Sequence, residues 1–271
     1  VTQPTPDKTQ TVVGSTVSSM RLGVVSYLNS RPLYEPLTKN AGVSLTPDVP
    51  AKLVDGLLRD EVDAALLPVV DYFRHRDLLR PLSDACIACD GETMTVRVFS
   101  RIPAERITTL HADLDSHTSV ILVQLLWREL YGRELQLEPW SIDDAQQFDD
   151  VEAVLLIGDK VVSSDPTGFG FEVDLGAAWK HLTGLPFVFA AWYGKQDMSR
   201  ADEVARQLSQ ARDEGVGQAE ALADRYAALH GWPVELARKY LCRTLKYTLT
   251  SQARTGMDRF FAMATAAGLL P

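Results

Sequence analysis

Arg21-Leu-Gly-Val-Val-Ser-Tyr-Leu-Asn-Ser-Arg-Pro-Leu33 changes character twice over a short span, and that change decides the fold. Leu22, Val24 and Val25 form the short apolar run of a strand buried in a parallel sheet. Ser26 and Asn29 then interrupt it with hydrogen-bonding side chains. Asn29 or Ser30 can cap a helix whose first turn holds Pro32, where a missing N–H costs nothing. A strand end beside a helix N-terminus gathers unpaired N–H donors and the positive end of a dipole, which suits a carboxylate or phosphate. An ordinary strand-to-helix turn is the competing reading, and other segments must choose between the two.

The chain's 271 residues are enough for one large or two modest domains. Hydrophobic residues at 46% and charged residues at 23% are ordinary for a soluble globular protein. A net charge of −9 argues against non-specific binding to nucleic acid or an anionic membrane, while local donors can still hold a small anion. The expected partner is therefore a small-molecule substrate. Cys86, Cys89 and Cys242 are too few and odd in number for a disulfide framework. No run approaches the roughly 18 apolar residues of a membrane span. Residues 1–20, rich in Thr, Ser, Gln and Pro, read as a flexible extension without the basic start and apolar core of a signal peptide, and the expected location is cytoplasmic.

Strands and helices alternate. Strands are expected over 22–25, 43–47, 64–67, 95–100, 135–138, 153–157 and 187–192, and helices over 32–38, 51–59, 69–74, 119–131, 175–182 and most of 200–267. This order predicts an α/β fold with mostly parallel sheets flanked by helices and a helical C-terminal region. Glu61-Val-Asp-Ala-Ala-Leu-Leu67 echoes Asp150-Val-Glu-Ala-Val-Leu-Leu156, two acidic lead-ins to apolar strands about 90 residues apart. Two lobes of similar construction would produce such an echo; so would chance likeness between buried strands. Tyr240, Tyr247, Phe260 and Phe261 fall at helical spacing and are assigned to packing.

Cys86-Ile-Ala-Cys89 lacks two further ligands for zinc, and the β-rich run after it does not open a helix as a redox motif should. No metal is expected. Asp115-Ser-His-Thr-Ser119 precedes an apolar helix, so Ser116, Thr118, Ser119 and the Ser119 and Val120 N–H groups either cap that helix or grip a carboxylate. His117 beside these serines makes no hydrolase signature, since adjacent residues on one turn rarely face each other. Leu155-Leu-Ile-Gly-Asp159 ends a buried strand; Gly158 permits a close backbone approach, and Asp159 either orients ligand donors or caps a helix. Gly168-Phe-Gly170 is too short for a dinucleotide fingerprint, and no Walker A sequence is present.

Taken together and in order, Gly23–Pro32, Cys89-Asp-Gly91, Thr118-Ser119, Leu155–Asp159, Asp174-Leu-Gly with Trp179, and Thr183-Gly-Leu-Pro-Phe-Val-Phe-Ala-Ala-Trp192 resemble the menaquinone biosynthesis family of the futalosine route, on its chorismate dehydratase branch. The resemblance covers residue 21 to the C-terminus. The naphthoate synthase branch shares the fold but resembles the 183–192 segment less well. The resemblance implies a two-lobed fold like periplasmic binding proteins of the second type, with one lobe from 21–93 plus 189–271 and the other from 94–188. It implies a ligand between the lobes, catalytic roles for Asn29 and Cys89, and substrate contacts from Ser26, Asn29, Arg31, Cys89 and Gly91 on one side and Thr118, Ser119, Val120 and Asp159 on the other. No cofactor is implied. Where the family often has Ser, this chain has Cys89, a weaker hydrogen-bond donor. The implied reaction is the dehydration of chorismate to 3-[(1-carboxyvinyl)oxy]benzoate, with the substrate's own enolpyruvyl carboxylate as the candidate base. A non-catalytic solute-binding protein is the rival on the same scaffold.

Overall fold

The computed structural model describes residues 19–141, 148, 150–164 and 166–271. The expected extension over 1–20 lies almost wholly outside the described residues, and the fold begins with the first strand at Met20.

The chain first runs through β1 (Met20–Val25), α1 (Arg31–Tyr34), β2 (Val43–Asp48), α2 (Leu53–Leu58), β3 (Ala64–Pro68), α3 (Val69–Arg74) and β4 (Leu79–Cys89). It crosses over and continues through β5 (Val96–Ser100), β6 (Thr109–Asp113), α4 (His117–Tyr131), β7 (Gln136–Trp140), β8 (Ala153–Ile157), α5 (Lys160–Ser163), β9 (Phe171–Asp174) and α6 (Leu175–Thr183). It then returns through β10 (Phe187–Lys195), α7 (Ala201–Gly217), α8 (Ala219–Tyr226), α9 (Val234–Lys239), β11 (Leu245–Thr248) and α10 (Ser251–Ala266).

Two sheets result, ordered β11-β4-β10-β3-β1-β2 and β7-β6-β8-β5-β9. Each is mixed rather than mostly parallel. β1 is parallel to β2 and β3, and β6 to β7 and β8, whereas β10 is antiparallel to β3 and β4, and β5 to β8 and β9. The physical reason is the route. β1 to β2, β2 to β3 and β6 to β7 are joined by helical crossovers, which keep strands parallel, while β5 and β10 enter directly from the other lobe at the opposite end. The echoed segments become β3 and β8, which hold the same place in their sheets: parallel to one neighbour and antiparallel to the other. β8 is apolar throughout because both its faces are covered. Ala153, Leu155 and Ile157 join the main core, and Val154 and Leu156 join a smaller cluster with Phe99, Trp140 and Val161.

The crossover between β4 and β5 holds Gly91 at φ 120° and Met94 at φ 65°. A non-glycine residue pays a conformational cost there, and the carboxylate of Asp174 holds it by accepting from Thr93 N (2.9 Å) and Met94 N (2.8 Å). The return crossover joins the first sheet at Phe187, two residues before the expected change of lobe at 189. The C-terminal region is not helical throughout. α9 runs into a wide π-type turn, Tyr240–Thr244, and then into β11 on the edge of the first sheet. No helix among the described residues is long and apolar enough to cross a membrane.

Candidate active site

The parallel strands β1, β3 and β8 all end at the junction between the lobes, where Val25, Pro68 and Ile157 line a cavity. Ligands of open α/β sheets bind at such carboxyl ends. Asn29 and Tyr27 enter from the turn after β1, Ser116 and Ser119 from the start of α4, Thr93 and Thr95 from the crossover, and Tyr240 from the π-type turn. The cavity has a volume of about 40 Å³, smaller than a ring-bearing ligand, so such a ligand is admitted only when the lobes part.

No charged side chain and no histidine is among the described residues lining this cavity. Its polar groups are hydroxyls and the Asn29 amide. Burial, reinforced by the nearby Asp115 charge, raises the Tyr27 phenol far above its ordinary range, and burial does the same to Tyr240; both stay neutral donors. Asn29 Oδ1 is buried without a hydrogen-bond partner among the described residues, an acceptor held open inside the cavity.

At the start of α4, Ser116 accepts from Ser119 N (3.3 Å) and Ser119 Oγ (3.1 Å). Both contacts end on the Ser116 oxygen, so its own O–H remains to donate. Val120 N is committed to Ser116 O (3.2 Å). The described residues offer no acceptor to the His117 and Thr118 N–H groups, which leaves them as donors at the positive end of the helix.

Several expected contact residues lie elsewhere. Of the expected set, Asn29 and Ser119 line the cavity. Ser26 N extends the β1–β2 pairing to Asp48 O (2.9 Å). Arg31 stacks on the Tyr226 ring at 4.1 Å and pairs with Glu35 at 3.3 Å, behind the turn. Thr118 Oγ1 is buried and accepts from Val70 N (3.3 Å), so it ties α4 to α3. Val120 N is spent within its helix, as above. Cys89, fully buried at the end of β4, sits so close to α6 that a Cβ on Gly176 would lie 2.6 Å from its Sγ. Burial pushes its thiol far up, and pushes Cys86 up to about 12. Gly91, in the crossover, does not line the cavity either.

Asp159 neither caps α5 through its side chain nor stands among the residues lining the cavity. Its carboxylate accepts across the lobes from Leu28 N (3.1 Å), His230 Nδ1 (2.7 Å) and Trp232 Nε1 (2.9 Å). His230 Nε2 lies 3.5 Å from Arg31, which can only donate, so Nε2 is the ring's acceptor and the Nδ1 N–H points at Asp159. Beside this latch, Gly158 has φ 63°, and a Cβ there would lie 2.6 Å from the Tyr27 ring. The close approach at Gly158 is thus made by Tyr27. A second tie joins Tyr27 O–H to Asp115 (3.1 Å), whose backbone oxygen accepts from Ala51 N (2.9 Å). Lys160 neutralises the same corner by pairing with Asp113 and Asp115 at 2.5 and 2.6 Å.

Sequence reasoning missed Tyr27, Thr93, Thr95 and Tyr240 in the cavity and His230 and Trp232 in the latch. Gly231-Trp-Pro233 reads as a helix break, and its signal went no further; nothing in the spacing links it to residue 159.

The profile of the family described as menaquinone biosynthesis matches residues 20–266. A chorismate dehydratase of Thermus thermophilus is 31% identical over 92% of this chain and 95% of its own length, and one of Campylobacter jejuni is 23% identical over 92% and 100%. The periplasmic aliphatic sulphonate-binding protein of Escherichia coli superposes with a TM-score of 0.64 at 13% identity, covering 94% of this chain and 89% of that one; at that identity the likeness speaks for the two-lobed fold alone.

Proposed function

The chain belongs to the menaquinone biosynthesis family, and from that premise we propose that it is a chorismate dehydratase, a hydro-lyase converting chorismate to 3-[(1-carboxyvinyl)oxy]benzoate and water. The observation that carries the reading is the uncharged lining of the interlobe cavity, in which the polar groups among the described residues are hydroxyls and the Asn29 amide. A site built only to retain a dianion is best served by arginine or lysine. Neutral, preorganised donors instead gain most where charge develops during reaction.

In the proposed reaction the C3 proton leaves, the C4 hydroxyl departs with the C4–O bonding pair, and the two combine as water while the ring becomes aromatic. Loss of the C3 proton pushes charge onto the ring carboxylate. The Ser116 hydroxyl and the His117 and Thr118 N–H groups would meet that charge, aided by the α4 dipole. Asn29 Oδ1 would accept from the C4 hydroxyl and fix the direction of its C–O bond. With no histidine or carboxylate among the described residues lining the cavity, the enolpyruvyl carboxylate of the substrate takes the C3 proton and passes it to the departing C4 hydroxide, releasing water. Closure excludes bulk water and holds that carboxylate near C3.

The reading is tested by incubating purified protein with chorismate and following the mass of the product. Loss of one water with an aromatic absorbance is expected. Chorismate recovered intact from a tight complex would place the protein among non-catalytic binders, and turnover of cyclic dehypoxanthine futalosine instead would place it on the naphthoate synthase branch.

A further inference from the structure

We infer that Asp71 is a positioning residue that reaches across from the first lobe and sets the aim of the His117 and Thr118 N–H donors at the start of α4; its catalytic consequence rests on the dehydratase reading. Two adjacent ties between the lobes carry the inference. Asp71 Oδ1, in the first turn of α3, accepts from His117 Nδ1 at 2.6 Å. One residue earlier, Val70 N donates to Thr118 Oγ1 at 3.3 Å. α3 therefore holds the side chains of the same two residues whose backbone N–H groups are left as donors. A residue held by its side chain keeps the direction of its own N–H.

Three further observations make this more than packing between helices. Within α4, the Ser116 cap serves Ser119 N and the Ser116 carbonyl serves Val120 N, so the first two helical residues are free to fray unless something outside the helix holds them. Asp71 is also a poor choice for stability alone. Its side chain is 2% exposed, its Oδ2 is buried with no hydrogen-bond partner among the described residues, and Arg74 Nη1 stands 3.9 Å away on the side of Oδ1. A half-satisfied buried carboxylate costs stability, which an apolar residue would not. Finally, α3 starts from Pro68, which lines the cavity, so the ties stand at the edge of the proposed site. Because α3 belongs to the first lobe and α4 to the second, both ties form only when the lobes meet. Closure and the aiming of the donors become one event: the ring carboxylate meets organised donors only once bulk water is shut out.

Asp71→Ala removes the acceptor of His117 and no group that lines the cavity. With chorismate, kcat should fall about 10- to 50-fold and KM should rise no more than about threefold, because the donors matter most as charge develops. Asp71→Asn keeps an oxygen acceptor in place and should restore kcat to within about threefold of the wild type. His117→Ala breaks the same tie from its partly exposed end, where folding is not at stake, and should match Asp71→Ala. Combining the two should slow either single variant no further, since one contact is lost in all three. A second readout is independent of turnover. In ¹⁵N relaxation of the free protein, the order parameters of the His117 and Thr118 N–H groups should fall in Asp71→Ala, while those of Ser119 and Val120 hold. Wild-type kcat in Asp71→Ala or His117→Ala, no rescue by Asp71→Asn, multiplying losses in the double variant, or unchanged order parameters would each overturn the inference. Failure of the wild type to convert chorismate is a different result: it contradicts the dehydratase reading, and the relaxation comparison then decides the positioning role alone.

Discussion

The two strand-to-helix turns facing the cavity hold equivalent places in their sheets and are finished in opposite ways. After β1, Ser30 Oγ turns back to Val25 O (2.6 Å) and Tyr27 O (2.8 Å), α1 has no side-chain cap, and Asn29 Oδ1 is left open. After β6, Ser116 caps α4, and the unclaimed groups are donors. One turn offers an acceptor and the other offers donors. A ligand bridging them is read at both ends by polarity, with no formal charge in the lining. Under the proposed dehydratase reading, that division would let a chain of net charge −9 hold a dianion and still act on it.

The comparison breaks most severely at Asn29. Asn29→Ala removes the acceptor and should lower kcat by about 10²–10³-fold, with far-UV circular dichroism unchanged. Asp159→Ala removes no cavity group but strands three donors of the latch. It should cost about 2–3 kcal/mol, read as a fall in Tm of roughly 5–10 °C, and raise KM more than it lowers kcat. Ser116→Ala attacks the donor turn. The lost cap should cost about 1 kcal/mol in thermal unfolding and raise KM several-fold.

How much of this division was legible in sequence follows from burial. β1, β3 and β8 were readable because apolar runs with polar ends have few other readings, and α4 because Ser116 and Gly132 bracket it. β4 was not, since Pro81, Ser83 and Asp84 interrupt it where its pairing with β10 shifts register. β11 was hidden because Leu245–Thr248 lies between two helical stretches and its edge position leaves Lys246 and Thr248 exposed. At the site, Asn29 and Ser119 were legible from local turn chemistry. Tyr240, His230 and Trp232 were not, because they reach the cavity and Asp159 only after the chain has crossed between the lobes and returned.

Two smaller effects sharpen the account. Cys89→Ser should change kcat by no more than about threefold, since the side chain lies against Gly176 and outside the cavity. A hundredfold change would return residue 89 to the chemistry. The pH dependence of kcat should be nearly level from about pH 6 to pH 9. The sign follows from Tyr27 and Tyr240, whose pKa values are raised, so both phenols stay protonated through that window, and no lining histidine or carboxylate titrates within it. A limb near the ordinary histidine range would expose a protein base outside the cavity lining.

The central claim is that neutral groups of the protein position a substrate that supplies its own base. Its most direct test is the rate of aromatic product formation from chorismate beside that from the methyl ester of the enolpyruvyl carboxylate. The account predicts turnover of chorismate, and no turnover of an ester that still competes for the site. An ester converted at the rate of chorismate, or chorismate returned unchanged by folded protein, would contradict it.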